Sequence, residues 1–327
     1  DKLTHQHLLR SMDALMDHQD AVDDCVAQLL RPLIDEDLSV VFYDLTTIRA
    51  EGHTQQDGDV RHFGMSKEGI IARQFMLGVV QTAEGMPIYP DVFDGNTADA
   101  SALEPTLKKV LSRYPHIRRL VVVADRGLLS LDNIEALTKL QVAGQRSLEF
   151  ILAVPGRRYS EFVDLLQPMC ARTAKATTEE ILEDVQWQGH RLVVAHNPVH
   201  AAEQTQDRLA KIHTLQQRAD QLAGKLDAQD AGNVQRGRKL SDSGAKARFF
   251  HEVSEAHLAR IIKVDLKSDL FTYQIDETAL ARAQLMDGKL MLVTNVKDMT
   301  PLEIVRRYKS LADIERGFKV LKSEIEI

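Results

Sequence analysis

Asp44 and Asp125 each close a run rich in valine and other strand-favouring apolar residues, "SVVFY" and "LVVVA". Each is therefore expected at or near the C-terminal end of a buried strand, where open sheets gather ligand and catalytic groups. A third carboxylate, Glu315, lies in "YKSLADIERGFKVLK". At ~100° per residue, Leu311, Ile314, Phe318, Leu321 and Ile325 form one narrow apolar stripe on a helix. Tyr308, Glu315 and Lys322, spaced by seven, form a second stripe roughly 80° around it. A glutamate at the rim of a buried face points along the edge of the core, where it can reach strand ends. Three carboxylates brought together repel one another, and hard divalent cations relieve that repulsion. Mg²⁺ favours carboxylate and water oxygens and leaves positions open for phosphate. Two such ions can clamp the attacking and leaving oxygens of a phosphodiester. Arg126, Lys319 and Lys322 suit phosphate contacts nearby, and Arg61, Ser66 and Lys67 are further candidates. Singly, each acid has a plainer reading: a strand-end aspartate capping a loop, or a solvated glutamate on an amphipathic helix.

The elements that must position these residues read as a mixed α/β pattern. Residues 5 to 34 carry two helical periodicities. Ser39 to Asp44 reads as the first strand, and 45 to 70 as a loop or irregular hairpin. "RQFMLGVVQT" and "MPIYPDVFDG" flank "AEG", a hairpin signal. A helix over 98–113, a strand over 120–127, a helix from Ser130 to about Ala143 and a strand over 149–155 follow. The division expected is a helical pair over 1–37, the first part of an α/β core over 38–155, a mixed insertion over 156–298 and a core helix over 299–327. Within the insertion, 201–226 reads as a long amphipathic helix, and strands are expected near 258–266, 270–276 and 289–295. Thr300, Pro301 and Glu303 form a capping box with proline at the first helical position.

The chain has 327 residues, 44% of them hydrophobic and 27% charged, enough for a sizeable core in one large or two ordinary domains. No apolar run approaches the ~20 residues of a membrane span, so no membrane partner is expected. Cys25 and Cys170 are the two cysteines, and neither a disulfide framework nor a cysteine zinc site is expected, which fits a reducing cytoplasm. The formal net charge of −7 is unlike that of a nucleic-acid binder, but basic clusters occur at 113–119, 236–248 and 306–322. "HEVSEAH" lacks the spacing of the zinc pattern HExxH, and neither GxxxxGK[ST] nor GxGxxG is present. The chain opens on Asp1 and stops at Ile327 within a helical pattern, so it is expected to be cut from a longer protein.

"VFYDLTTIRAEG", "HFGMSKEG", "MPIYPDVFDGNTADASAL", "VVVADRGLLS" and "YKSLADIERGFKVLK", in this order and spacing, resemble the DDE transposases of the IS4 superfamily, closest to the IS1634 group. The resemblance implies an RNase H-like core with an insertion before the last helix. It also implies two Mg²⁺ ions, replaceable by Mn²⁺, on Asp44, Asp125 and Glu315, and DNA cleavage and strand transfer by a homodimer bridging two DNA ends. The family signature on the last helix is Tyr, two residues, Arg, three residues, Glu, six residues, Lys. Here Tyr308, Glu315 and Lys322 match, which implies Tyr308 and Lys322 as DNA contacts, and Leu311 replaces the arginine; Leu311 reads as core, with Arg307 or Lys309 as substitute cations. Trp187, the lone tryptophan, is a candidate for stacking a flipped base, or a half-buried aromatic in a hairpin. Asn96 and Thr97 line the site or make a turn with a helix cap. Two rival readings remain: a truncated or inactive transposase-derived DNA-binding protein, and a non-enzymatic interaction module with 201–226 as a coiled coil.

Overall fold

A computed structural model describes residues 3–34, 39–50, 58–65, 71–83, 85–97, 99–125, 131–142, 146–173, 178–232 and 239–312. The chain begins with helices α1 (His5–Asp17) and α2 (Gln19–Leu30). Strands β1 (Ser39–Arg49), β2 (His62–Met65), β3 (Ile71–Thr82) and β4 (Pro87–Asp94) follow, then α3 (Asp99–Arg113), β5 (Leu120–Ala124) and α4 (Leu131–Lys139). Two short strands, β6 (Gln141–Val142) and β7 (Arg146–Ser147), precede β8 (Glu149–Ala153), α5 (Val163–Leu166) and α6 (Cys170–Thr173). Next come β9 (Ile181–Trp187), β10 (His190–His196), α7 (Pro198–Asp230) and α8 (Asp242–Glu255). The last elements are β11 (Ile262–Val264), β12 (Tyr273–Ile275), α9 (Glu277–Met286), β13 (Lys289–Thr294) and α10 (Pro301–Lys309).

The central sheet has nine strands in the order β2-β3-β1-β5-β8-β13-β10-β9, with β4 also paired to β3. β1 runs antiparallel to β3 and parallel to β5, and β5 runs parallel to β8. The parallel strands in the middle are apolar on both faces: all five residues of β5 are buried, as continuous β-branched runs require. β4 pairs with β3 and tolerates Pro87 and Pro90, which a doubly paired strand would not.

Two of the expected boundaries differ. β1 does not end at Asp44. Leu45 to Arg49 continue it, pairing with Gly78 back to Gln74 of β3 after the parallel pairing to β5 has stopped at Tyr43. The β-branched and apolar Leu45, Thr46, Thr47 and Ile48 are buried there. Strands β9, β10 and β13, placed with the insertion from the sequence, hydrogen-bond into the central sheet. The β9–β10 hairpin turns on Gln188 (φ 48°) and Gly189 (φ 79°), the two positive angles of a tight hairpin turn.

The chain divides into two compact units. One comprises the described residues of Asp1–Gly156, Glu183–Val194 and Met291–Ile327; the other comprises those of Arg157–Leu182 and Ala195–Leu290. The second unit has its own core. Ile212, Leu215, Ala219, Leu222 and Leu226 of α7 pack on Ala245, Phe249 and Val253 of α8 and on Leu258, Ile261 and Ile262. In the first unit, the periodic apolar residues of α1 (Leu8, Leu9, Met12, Leu15 and Met16) stay exposed.

Candidate active site: two aspartates in register and the helix that reaches them

Parallel pairing between β1 and β5 ends at Tyr43 opposite Ala124. Asp44 and Asp125 are the next residues on the two chains, so they leave the pair side by side. Neighbouring strands lie about 4.8 Å apart, and residues in register share a face. Both side chains are half-buried. Asp44 Oδ1 accepts from the amide of Leu45 at 2.8 Å. Asp125 Oδ1 accepts from the hydroxyl of Tyr308 at 2.8 Å.

Tyr308 comes from α10, which packs on β5 and β8. The start of this helix is fastened at several points. Thr294 Oγ1 donates to the carbonyl of Phe150 at 2.6 Å, and Asn295 bonds the amide of Phe150 and the carbonyl of Leu148 at 2.9 and 3.0 Å. Arg191 donates to the carbonyls of Val296 and Met299 at 2.6 and 3.0 Å while holding Asp184. Arg119 bonds Asp298 at 2.6 and 2.7 Å and Glu149 at 2.5 Å. These two carboxylates raise its pKa above the ordinary arginine value. Thr300 and Glu303 complete the capping box, and bonds from Thr300 hold the Glu303 carboxyl below the usual range. Ile304, Val305 and Leu311 are buried. They set the rotation of the helix about its axis, and Tyr308 falls on the same side at helical spacing. Leu311, where the family signature carries arginine, is core, as its place in the apolar stripe predicts.

Of the other predicted contacts, Arg61 forms a bidentate pair with Asp59, its Nε and Nη2 donating to the two carboxylate oxygens at 2.8 and 2.7 Å. Arg73 also donates to Asp59, at 2.8 Å. Hydrogen bonds from Arg61, first among the causes, hold the Asp59 carboxyl well below the usual carboxylate range. Arg73 of β3 thus ties the segment before β2 to its own strand through Asp59 and the Arg61 carbonyl. Asp59 was not among the sequence-predicted residues; the local Asp-x-Arg spacing is the signal that could have found it. Trp187 is 9% exposed at the end of β9 and belongs to the unit that contains the two aspartates, not to the insertion. Glu315, Lys319, Lys322, Arg126, Ser66 and Lys67 lie outside the described residues. Among the described residues, no three histidine, cysteine or acidic side chains cluster in a way that could hold a metal ion. The structure therefore joins Tyr308 to Asp125 and places Asp44 on the neighbouring strand. The second unit contains a cavity of about 700 Å³ between α7 and α9, and none of the sequence-predicted site residues lines it.

Two acidic residues thus follow the last paired residues of adjacent parallel strands in a mixed α/β sheet, and a late helix docks on β5 and β8 beside one of them. The sequence model of the transposase DDE domain matches residues 35–325, and the chain belongs to that family. No curated protein matches it. Among solved structures, a piggyBac transposase in a synaptic complex with hairpin DNA is similar over 48% of this chain and 30% of its own, at 12% identity and a TM-score of 0.30. A likeness of that degree does not by itself define a common fold. No described helix is long and apolar enough to cross a membrane.

Proposed function

We propose that this chain is the catalytic part of an insertion-sequence transposase of the IS4 superfamily, closest to the IS1634 group. It cuts DNA at the ends of its element and joins the freed ends to other DNA. The observation that carries this reading is that Asp44 and Asp125 follow side by side where the pairing of β1 with β5 ends, in a chain that matches the transposase DDE domain along most of its length. The strand order supports an RNase H-like core: β1 sits between antiparallel β3 and parallel β5, with β8 parallel beyond it.

The donor set suits Mg²⁺ or Mn²⁺. Both described members are hard carboxylate oxygens, and neither thiol nor imidazole is among them. Asp44, Asp125 and Glu315 are the residues that would hold two such ions. When bound, these supply charge stabilisation at the phosphoryl oxygens of the reacting strand. The chain's own work is positional. β1 and β5 fix two carboxylates on neighbouring strands in the middle of the sheet, α10 brings Tyr308 to Asp125, and the sequence after it carries Glu315 and Lys322 two and four turns further along the helical pattern. Lys67, Arg126, Lys319 and Lys322 are proposed phosphate contacts, and a homodimer in the cytoplasm, bridging two DNA ends, is the proposed working form. Arg61 and Trp187 are weaker DNA contacts, because one is already paired to Asp59 and the other is buried in the sheet. The interaction-module reading loses support because the apolar face of α7 is already covered by α8.

The test uses the full-length transposase and a plasmid carrying the ends of its own element, in Mg²⁺. Asp44→Ala and Asp125→Ala should each abolish strand cleavage while the cooperative melt is retained. Undiminished cleavage by either variant would overturn the assignment.

A further inference from the structure

The sequence signature casts Tyr308 as a DNA contact, yet in the structure its hydroxyl is spent on a protein carboxylate. A tyrosine hydroxyl has one proton to donate, and a phosphodiester offers only acceptors. The proton that Tyr308 gives to Asp125 Oδ1 at 2.8 Å cannot also be given to a phosphate oxygen. The two roles are therefore alternatives. The anchoring of α10 favours the first. Arg119 and Arg191 fix the turn before the helix, the capping box fixes its first residue, and buried Ile304, Val305 and Leu311 fix its rotation. A side chain built into so constrained a frame suits a fixed internal target better than a mobile DNA strand.

We propose that Tyr308 is a positioning residue for Asp125, with α10 as the arm that holds it. The inference rests on the reading of Asp125 as a metal ligand. A carboxylate has about four acceptor sites. One charge-assisted bond from tyrosine orients the group and leaves capacity for a cation. Hydrogen-bond partners behind a metal ligand orient it in this way, and their removal typically weakens metal binding about 10- to 100-fold. Asp298, which Arg119 grips at the foot of α10, acts one step further back.

The experiment measures Mn²⁺ affinity calorimetrically on DNA-free protein, and DNA affinity separately in EDTA. Tyr308→Phe keeps the ring and removes the donor. It should weaken Mn²⁺ binding about 10-fold and leave DNA affinity in EDTA within about twofold of wild type. Asp298→Asn, on the surface and remote from both partners, should weaken Mn²⁺ binding by a smaller factor. That factor should vanish in the Tyr308→Phe background, because the anchor acts through the hydroxyl. Unchanged Mn²⁺ affinity in Tyr308→Phe, or a loss of DNA affinity in EDTA, would overturn the proposal and return Tyr308 to DNA contact. Wild-type protein that binds no Mn²⁺ would overturn the metal-site reading and the proposal together, and is told apart from the other outcomes by the wild-type titration alone.

Discussion

Asp44 sits inside a strand, flanked by residues that are almost all buried. A carboxylate there is costly to desolvate, and folding alone gives no reason to place it. On the proposed reading, function has overridden packing at this position. The exchange is measurable. Asp44→Asn should leave the metal-free melting temperature unchanged or raised, while abolishing the stabilisation that wild type gains from Mn²⁺. That gain is about 2.7 kcal/mol at a hundred times the dissociation constant, and thermal melts with and without the ion report both halves of the prediction. At this scale the sequence was informative about residue types and silent about contacts. The runs "SVVFYD" and "LVVVAD" announce two acids after two buried strands. That they follow the last paired residues of β1 and β5, and that Tyr308 bonds one of them, depends on packing between elements far apart in the chain.

Among the elements, the glycines of "HFGM" and "DGNT" show how a motif can serve backbone geometry. A Cβ on Gly95 would lie 1.8 Å from the carbonyl oxygen of Gln74, and one on Gly64 would lie 2.4 Å from the carbonyl oxygen of Gly95. Three backbone segments meet there, over a buried glutamine whose amide donates to Gly95 at 3.0 Å. Gly95→Ala should cost about 1–3 kcal/mol or fold poorly, as read by urea unfolding, although Gly95 touches neither aspartate. Thr300→Ala removes the cap of α10 and should cost about 1 kcal/mol. Because α10 carries Tyr308, the same change should also weaken Mn²⁺ binding, which titration would show. Capping chemistry, hairpin signals and the 3.6-residue period were legible because each is local. The reach of β1 past Asp44 and the membership of β9, β10 and β13 in the central sheet were not. β-Branched residues after an acid read equally well as loop or strand until β3 supplies the pairing partner.

Across the molecule, the division into two units separates the residues assigned to chemistry from a second core built on α7 and α8. The second unit carries its own pH dependence. Burial, followed by the charge of Lys289, holds His196 below its ordinary value of 6.5, and its ring is 3.4 Å from the Lys289 ammonium. The folded protein therefore resists protonating His196, whereas the unfolded chain takes up a proton near 6.5. This contribution to stability is complete above that pH and is lost as the pH falls below it. Urea midpoints should drop between pH 7.5 and 5.5, and His196→Gln should flatten that drop. Membership of the DDE transposases could be read from motif order along most of the chain, and the sequence model agrees at that level over residues 35–325. The proposed convergence of Glu315 on the two aspartates rests on resemblance, because nothing local in the sequence fixes where the end of a helix lies relative to a sheet.

That convergence can be measured directly. Fe²⁺ with ascorbate, bound in place of Mg²⁺, generates hydroxyl radicals that cut the backbone next to the ion. In the full-length transposase, cuts should appear around residues 44, 125 and 315 together, and excess Mg²⁺ should suppress all three. Cuts near 44 and 125 with none near 315, or cuts that Mg²⁺ leaves untouched, would contradict a three-carboxylate metal site.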